Sequence, residues 1–198
     1  TDGTLSKVAE EIRVLAPALG KTATEFSALA VESAKLGVAG DNVVEFTKPI
    51  AGLSKISGLV GEQPAKLAKS FAALSSITGA SNDDLANYAA LASRLDDSIG
   101  GTIPNIVEFT RQTAAAGKIV GIGIGELAAY GSTLESLGVK SAVSYRAVNS
   151  LLVKLASPQT LSADSIEGLR QIGFEASEMA DIMKRDAEGG VRLFLERV

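Results

Sequence analysis

Histidine, cysteine and tryptophan are absent from this chain of 198 residues, and aromatic residues make up only 5% of it. Without cysteine there are no disulfides and no thiol nucleophiles, and without histidine as well the usual zinc ligands are missing. Histidine is also the side chain that acts most often as a general base. Composition therefore excludes most familiar enzyme designs. We expect a protein that is not an enzyme, with no catalytic residue, no bound metal and no cofactor.

Neither sign of charge dominates the chain, because 19 basic residues are mixed with 23 acidic ones for a net charge of -4. The short basic groups Lys184-Arg185 and Arg192/Arg197 are interleaved with acids, as is typical of a solvated helix face. This balance gives no support for specific nucleic-acid binding in this segment. The apolar share is 46%, mostly small aliphatic residues, which favours closely spaced helices over a sheet sandwich.

The chain does contain an internal duplication. The element Asn42-Val43-Val44-Glu45-Phe46-Thr47 returns as Asn105-Ile106-Val107-Glu108-Phe109-Thr110, and nine of the seventeen pairs from residue 42 to 58 are identical at an offset of 63. The offset then falls to 60 and persists to Leu95, which meets Leu155. An indel of three residues explains the change. Self-similarity at a fixed period is the signature of arrays whose units bury apolar faces against their neighbours.

Weaker echoes at both ends divide the chain into four approximate units of one repeat segment, 5–41, 42–100, 101–160 and 161–198. Apolar residues recur at helical spacing throughout, and no alternating strand pattern persists. The sequence therefore predicts an all-α fold, an irregular helical repeat or bundle of about eight to ten short helices with glycine and proline breaks. Since the first residue is Thr1, we expect the chain to be a piece of a longer protein.

Polar residues that suit helix starts divide the array into its helices. Thr22 or Thr24 is predicted to cap the second helix and Asp41 or Asn42 the third, which Pro49 should interrupt or kink. Further starts are predicted at Pro64, Ser81, Pro104, Ser162, Glu175 and Asp186, with helices at about 125–137 and 141–156. Gly100-Gly101-Thr102 is predicted to be a hinge-like loop between the two main copies.

One loop superficially resembles a phosphate-binding turn. Gly121-Ile122-Gly123-Ile124-Gly125 precedes a helix, and such glycines can let a backbone approach phosphate at a helix N-terminus. The equivalent stretch from Gly58 to Pro64 keeps the break but not the glycine pattern, and no parallel sheet is predicted around either copy. We therefore interpret the loop as a structural break between helices.

Repeated or paired carboxylates are the other candidates for chemistry. Asp83-Asp84 and Asp96-Asp97 are neighbours that point about 100° apart on a helix, so neither pair converges, and capping and solvation explain them. Glu45 and Glu108 recur near helix starts, where a carboxylate meets free backbone donors. We expect Phe46 and Phe109 beside them to anchor the core of each unit.

Several stretches resemble the core region of phage tail tape measure proteins. The resemblance is carried by Ile106 to Arg111, Ala114 to Lys118, Gly125 to Val139 and Leu151 to Ala156, and by the following stretches Ile172 to Glu178 and Asp186 to Leu195. It covers about residues 67–198 and reaches the N-terminal third through the duplication. The family often has proline after the aspartate at 186, where this chain has Ala187, which affects only a helix cap.

The resemblance implies a long, mostly helical phage or prophage protein that sets tail length. It implies self-association in several copies inside the tail tube, contact with the tail tube protein and tail assembly chaperones, and release before DNA enters the host. The implied locations are the lumen of the virion tail and, during assembly, the host cytoplasm. No catalytic residue is implied. An alternative is that residues 113–134, rich in Ala and Gly, insert into the host inner membrane or form a channel that aids DNA passage.

Overall fold

A computed structural model describes residues 2–99 and 101–198, without side-chain detail for 2–5 and 41. The all-α prediction is confirmed, with eleven α-helices in the described residues where eight to ten were predicted. They are α1 Asp2–Ala18, α2 Ala23–Lys35, α3 Val43–Ile56, α4 Gln63–Thr78, α5 Asn82–Ile99, α6 Ile103–Val120, α7 Ile124–Ser136, α8 Ser141–Ala156, α9 Ala163–Gln171, α10 Ala176–Arg185 and α11 Ala187–Leu195. Two 3-10 turns, at Gly40–Asn42 and Pro158–Thr160, complete the helical structure of this part of the chain.

Local chemistry sets most of the helix starts as predicted. The Thr22 hydroxyl accepts the Glu25 N–H while the Glu25 carboxylate accepts the Thr22 N–H at 2.8 Å, which forms a capping box at the start of α2. Ser162 caps α9 by accepting the Ser165 N–H, and Asp186 caps α11. Each cap satisfies a backbone donor that the helix itself leaves free.

The start of α3 differs from the prediction. Asn42 precedes the helix but makes no capping hydrogen bond, because it already lies in a helical conformation at the end of a 3-10 turn. A capping side chain requires an extended backbone. The alternative cap, Asp41, lies outside the residues whose side chains are described. The conformation of Gly100, which was predicted to lie in a hinge-like loop, is also outside the described part.

Pro49 does not interrupt α3, which continues from Val43 to Ile56. The proline removes one N–H, whose acceptor in a regular helix would be the carbonyl of Glu45 four residues earlier. Since Glu45 is exposed, water can satisfy that carbonyl in place of the lost donor. The predicted interruption is therefore wrong, and α3 keeps its place as the counterpart of α6.

The two main copies pack their helices in the same way. In the first copy α3 packs against α4 and α5, and in the second α6 packs against α7 and α8. Contacts of α4 with α6 and of α5 with α7 join the copies. Most helices therefore contact their successor and the next helix but one, which is the arrangement of a helical array.

Apolar residues shared by the copies form the core. Phe46 and Phe109 are both 2% exposed, which confirms their predicted role as anchors, and Leu95 and Leu155 are buried as their counterpart positions require. One group of buried side chains runs from α1 to α7 and a second from α6 to α11. Because α6 and α7 contribute to both groups, these two helices connect the halves of the array.

Candidate functional site

Two clefts lie at equivalent places in the two copies. One, of about 530 Å³, lies where the loop 121–125 faces the turn between α4 and α5. The other, of about 600 Å³, lies where the loop after α3 faces the start of α2. Each cleft therefore lies between the loop after the repeated helix and the capped start of an earlier helix. Because the two clefts occupy equivalent positions, we attribute both to the way the repeated helices pack.

Capping boxes form one wall of each cleft. The Glu25 carboxylate at the α2 start accepts the Thr22 N–H and hydroxyl, and these hydrogen bonds lower its pKa. The Asp84 carboxylate at the α5 start accepts the Ser81 hydroxyl at 2.7 Å and the Ser81 N–H at 2.9 Å, which likewise lower its pKa. Both carboxylates are therefore held in the ionised form by helix-start chemistry.

The clefts differ in their other charged groups. The first-copy cleft is lined by three lysines and three glutamates: Lys21, Lys66, Lys69, Glu25, Glu32 and Glu62. Among the residues that line the second-copy cleft, only Asp84 and Lys118 are charged. A ligand that recognised the first set would not find it in the second. The duplication thus preserves the position of the cleft and changes its chemistry.

The glycine loop 121–125 joins two helices. Gly121 ends α6 with a positive φ of 85°, a conformation that favours glycine, and Gly123 precedes α7. Between them Ile122 is buried, so the loop is fixed by packing as well as by turn geometry. It follows a helix, not a strand, as the sequence interpretation of a structural break required.

Lys118, the one cationic residue on that cleft, is engaged with the backbone. Its Nζ donates to the carbonyl oxygen of Ile77 at 2.7 Å, near the C-terminus of α4. A lysine there satisfies a carbonyl that the helix leaves free and interacts favourably with the negative end of the helix dipole. The counterpart Lys55 lies over Gly20 just beyond α1, where a Cβ added to Gly20 would be 2.7 Å from Lys55 Cε. The repeated lysine therefore covers the end of an earlier helix in both copies.

The repeated glutamates do not share a site. The Glu108 carboxylate accepts hydrogen bonds from Arg111 at 2.6 and 2.9 Å and from Gln112 at 2.7 Å. The Arg111 guanidinium is the main cause that lowers the pKa of Glu108. Glu45 is exposed on α3, where Lys48 and Pro49 occupy the positions of those two partners. The partners of the glutamate are thus specific to the second copy.

The paired aspartates also separate. Asp83 and Asp97 are exposed on α5, whereas Asp96 is half-buried. Burial raises the pKa of Asp96, and the carboxylates of Asp97 and Glu135 raise it further. Glu135, on α7, accepts a hydrogen bond from the Asn105 amide at 2.5 Å, so it connects α7 to the start of α6. Within residues 2–99 and 101–198, no group of three or more carboxylates is placed to hold a metal ion.

Sequence reasoning missed the contact that holds α6 against α7. Gly131 is buried in α7, and a Cβ at that position would lie 2.6 to 3.1 Å from three side-chain atoms of Phe109. The only signal in the sequence was that Phe71, at the equivalent place in the first copy, is replaced by glycine. In the described part of the chain, no helix combines the length and apolar character needed to cross a membrane.

Comparison with known proteins gives one family. The model of the family described as phage-related minor tail protein matches residues 10–197, which is nearly the whole chain. No curated protein and no solved structure matches this sequence. The match includes both copies of the duplication and the helices on either side. The chain belongs to the phage-related minor tail protein family.

Proposed function

We propose that this chain is a segment of a tape measure protein, which determines the length of a phage tail. The observation that carries the proposal is the in-register duplication of a three-helix unit within a phage tail protein. The resemblance of residues 67–198 to tape measure cores supports the same assignment. On this proposal several copies lie in the lumen of the tail tube after assembly in the host cytoplasm. Their partners are the tail tube protein and the tail assembly chaperones, and they are released during DNA ejection.

A duplicated helical unit is a suitable way to specify length. An α-helix rises about 1.5 Å per residue, so the 63 residues that separate Asn42 from Asn105 correspond to about 95 Å of extended helix. What the copies retain is a helix start, a buried phenylalanine and a lysine over an earlier helix end. What they do not retain is the chemistry of the cleft. The copies thus repeat the helical scaffold but not a binding site, as expected of a protein whose role is to provide length.

Excision of one unit tests the proposal. Removal of residues 43–105 joins Asn42 to Ile106, so that α6 takes the place of α3 with the repeat still in register. We expect phage with this deletion to assemble tails that are shorter by up to about 95 Å when measured by electron microscopy. The double variant Glu45→Gln and Glu108→Gln is the control, and we expect it to keep the normal tail length. Tails of unchanged length in the deletion phage would refute the proposal.

The same control variant tests our proposal that the chain is not an enzyme. We expect the protein to release no products from purified peptidoglycan. Turnover that is lost in the Glu45→Gln or Glu108→Gln variant would overturn this part of the proposal.

A second candidate function is insertion into the host inner membrane. The observation that favours it is that residues 113–134 contain only two charged residues, Lys118 and Glu126, and many small ones, which suit close helix packing in lipid. In the folded chain this stretch spans the end of α6 and most of α7, where Ala114, Leu127 and Ala128 are fully buried. Insertion therefore requires these residues to leave the core. Dye release from liposomes by the purified chain is the test, and absence of release at micromolar protein would exclude it.

A further inference from the structure

Two outward helix faces carry opposite charges at the same spacing. On α5 the exposed residues Asp83, Ala90 and Asp97 follow one another at intervals of seven. At the same intervals, exposed Ala147 and Lys154 on α8 follow exposed Lys140, the N-cap residue immediately before that helix. Seven residues are almost two turns of an α-helix, so each set forms one narrow stripe along its helix. We call these sets the α5 stripe and the α8 stripe.

The surroundings of the α8 stripe strengthen its positive charge. Residues 137–163 include Lys140, Arg146 and Lys154 but not a single aspartate or glutamate. Among the ion pairs formed by the described residues, none involves these three side chains. Val143, one turn before Ala147, is 58% exposed on the same side of the helix. A face that combines unpaired cations with an exposed valine is suited to an acidic partner surface.

The α5 stripe offers the complementary charge. Asp83 and Asp97 make none of the ion pairs in the described part of the chain. Arg94 lies on the same side of the helix, where its Nε donates to the carbonyl of Ala90. Two carboxylates and one guanidinium leave this face with a net negative charge.

The two stripes match in length as well as in charge. The end residues of each stripe are fourteen positions apart, which corresponds to about 21 Å of helix, and an alanine lies at the midpoint. Aligned at Ala90 and Ala147, the stripes bring both lysines opposite both aspartates whichever direction the helices run. Small residues at the midpoint allow the helices to approach closely. Because all six residues are exposed, the stripes do not cover each other within one copy.

We propose that the α5 stripe of one copy docks against the α8 stripe of a second copy of this chain. Such a contact joins different surfaces, so it builds a closed ring or an extended row of copies, unless two copies exchange both contacts at once. The proposal deepens the proposed function, because it names the surfaces through which copies would associate in a tail. It can fail on its own, since the tail-length experiment does not depend on which surface is used.

Charge reversal in solution tests the contact. Analytical ultracentrifugation of the full chain over a wide range of concentration should show reversible association at low salt. The association should weaken at 1 M salt, where the screening length falls to about 3 Å. We expect Lys140→Glu with Lys154→Glu to raise the dissociation constant at least about tenfold, and Asp83→Lys with Asp97→Lys to do the same.

A mixture of the two charge-reversed proteins supplies the decisive result. In the mixture each reversed face finds a complementary face on the other protein, so association should return. The control is Lys48→Glu with Lys66→Glu, at exposed positions on α3 and α4. It changes the net charge by the same amount as Lys140→Glu with Lys154→Glu and should associate like the parent chain. A chain that stays monomeric at every concentration, or a mixture that does not associate, would overturn the proposal. So would a monomeric chain that binds vesicles of anionic phospholipid through Lys140 and Lys154, since the α8 stripe would then serve a membrane surface.

Discussion

Two helical glycines are predicted to respond in opposite ways to the same substitution. Both Gly131 in α7 and Gly168 in α9 lie inside helices, where alanine is favoured over glycine by about 1 kcal/mol. A Cβ at Gly168 meets nothing within 4 Å. A Cβ at Gly131 would lie 2.7 Å from Phe109 Cγ and 3.1 Å from its Cβ. Because these two atoms are close to the backbone of α6, rotation of the ring cannot relieve the contact.

The balance of the two effects gives the expected magnitudes. Overpacking a core costs about 1–3 kcal/mol, and contact with atoms near the backbone places Gly131→Ala at the upper end, for a net loss of about 2 kcal/mol. Gly168→Ala should gain up to about 1 kcal/mol. The two variants should therefore differ by about 3 kcal/mol in their free energy of unfolding.

Urea unfolding followed by circular dichroism at 222 nm measures this difference. Adding Phe109→Ala to Gly131→Ala should recover part of the loss beyond the sum of the single effects, because Phe109→Ala removes the Cγ and Cδ1 atoms that the new Cβ would meet. If Gly131→Ala were as stable as Gly168→Ala, the close approach of α6 and α7 would be refuted.

Three further predictions concern caps and charges. Ser162→Ala should lower the free energy of unfolding by about 1 kcal/mol through loss of the α9 cap, whereas exposed Ser76→Ala within α4 should not lower it. Asp96→Asn should stabilise the fold at neutral pH, because asparagine, like a protonated aspartate, carries no charge. The pKa of Asp96 is raised in the folded protein, so its protonation stabilises the fold below the pKa of the unfolded chain, and this stability is lost as the pH rises through the pKa of the folded protein. The advantage of Asp96→Asn in urea titrations should therefore disappear in acid, and an advantage constant with pH would contradict this cause. Lys118→Met should cost about 1 kcal/mol by leaving the Ile77 carbonyl without its donor, and unchanged stability would show that the bond is replaced by water.

Local chemistry made much of the fold predictable from sequence. The limits of α8 were predicted at 141–156 and are found there, because a helix start after a glycine turn and the Ser157-Pro158 stop are both encoded within a few residues. The duplication predicted that Phe46 and Phe109 would play equivalent roles, and both are core residues. Where the evidence is local or is repeated, a single sequence was sufficient.

Contacts between distant residues were not predictable in the same way. Lys118 reaches Ile77, 41 residues earlier, and Glu135 reaches Asn105, 30 residues earlier; neither pairing has a local signature. The continuation of α3 through Pro49 depends on the exposure of Glu45, which the sequence alone does not give. The α5 and α8 stripes could be read as charge patterns, but only the fold shows that both face outward.

A series of phage tails tests directly whether the repeated unit supplies length. Phage would carry the chain with residues 43–105 removed, unchanged, or duplicated in register, and tail lengths would be determined by electron microscopy. We expect tail length to increase linearly with the number of units, by up to about 1.5 Å for each added residue. Equal tail lengths in all three phages would contradict it.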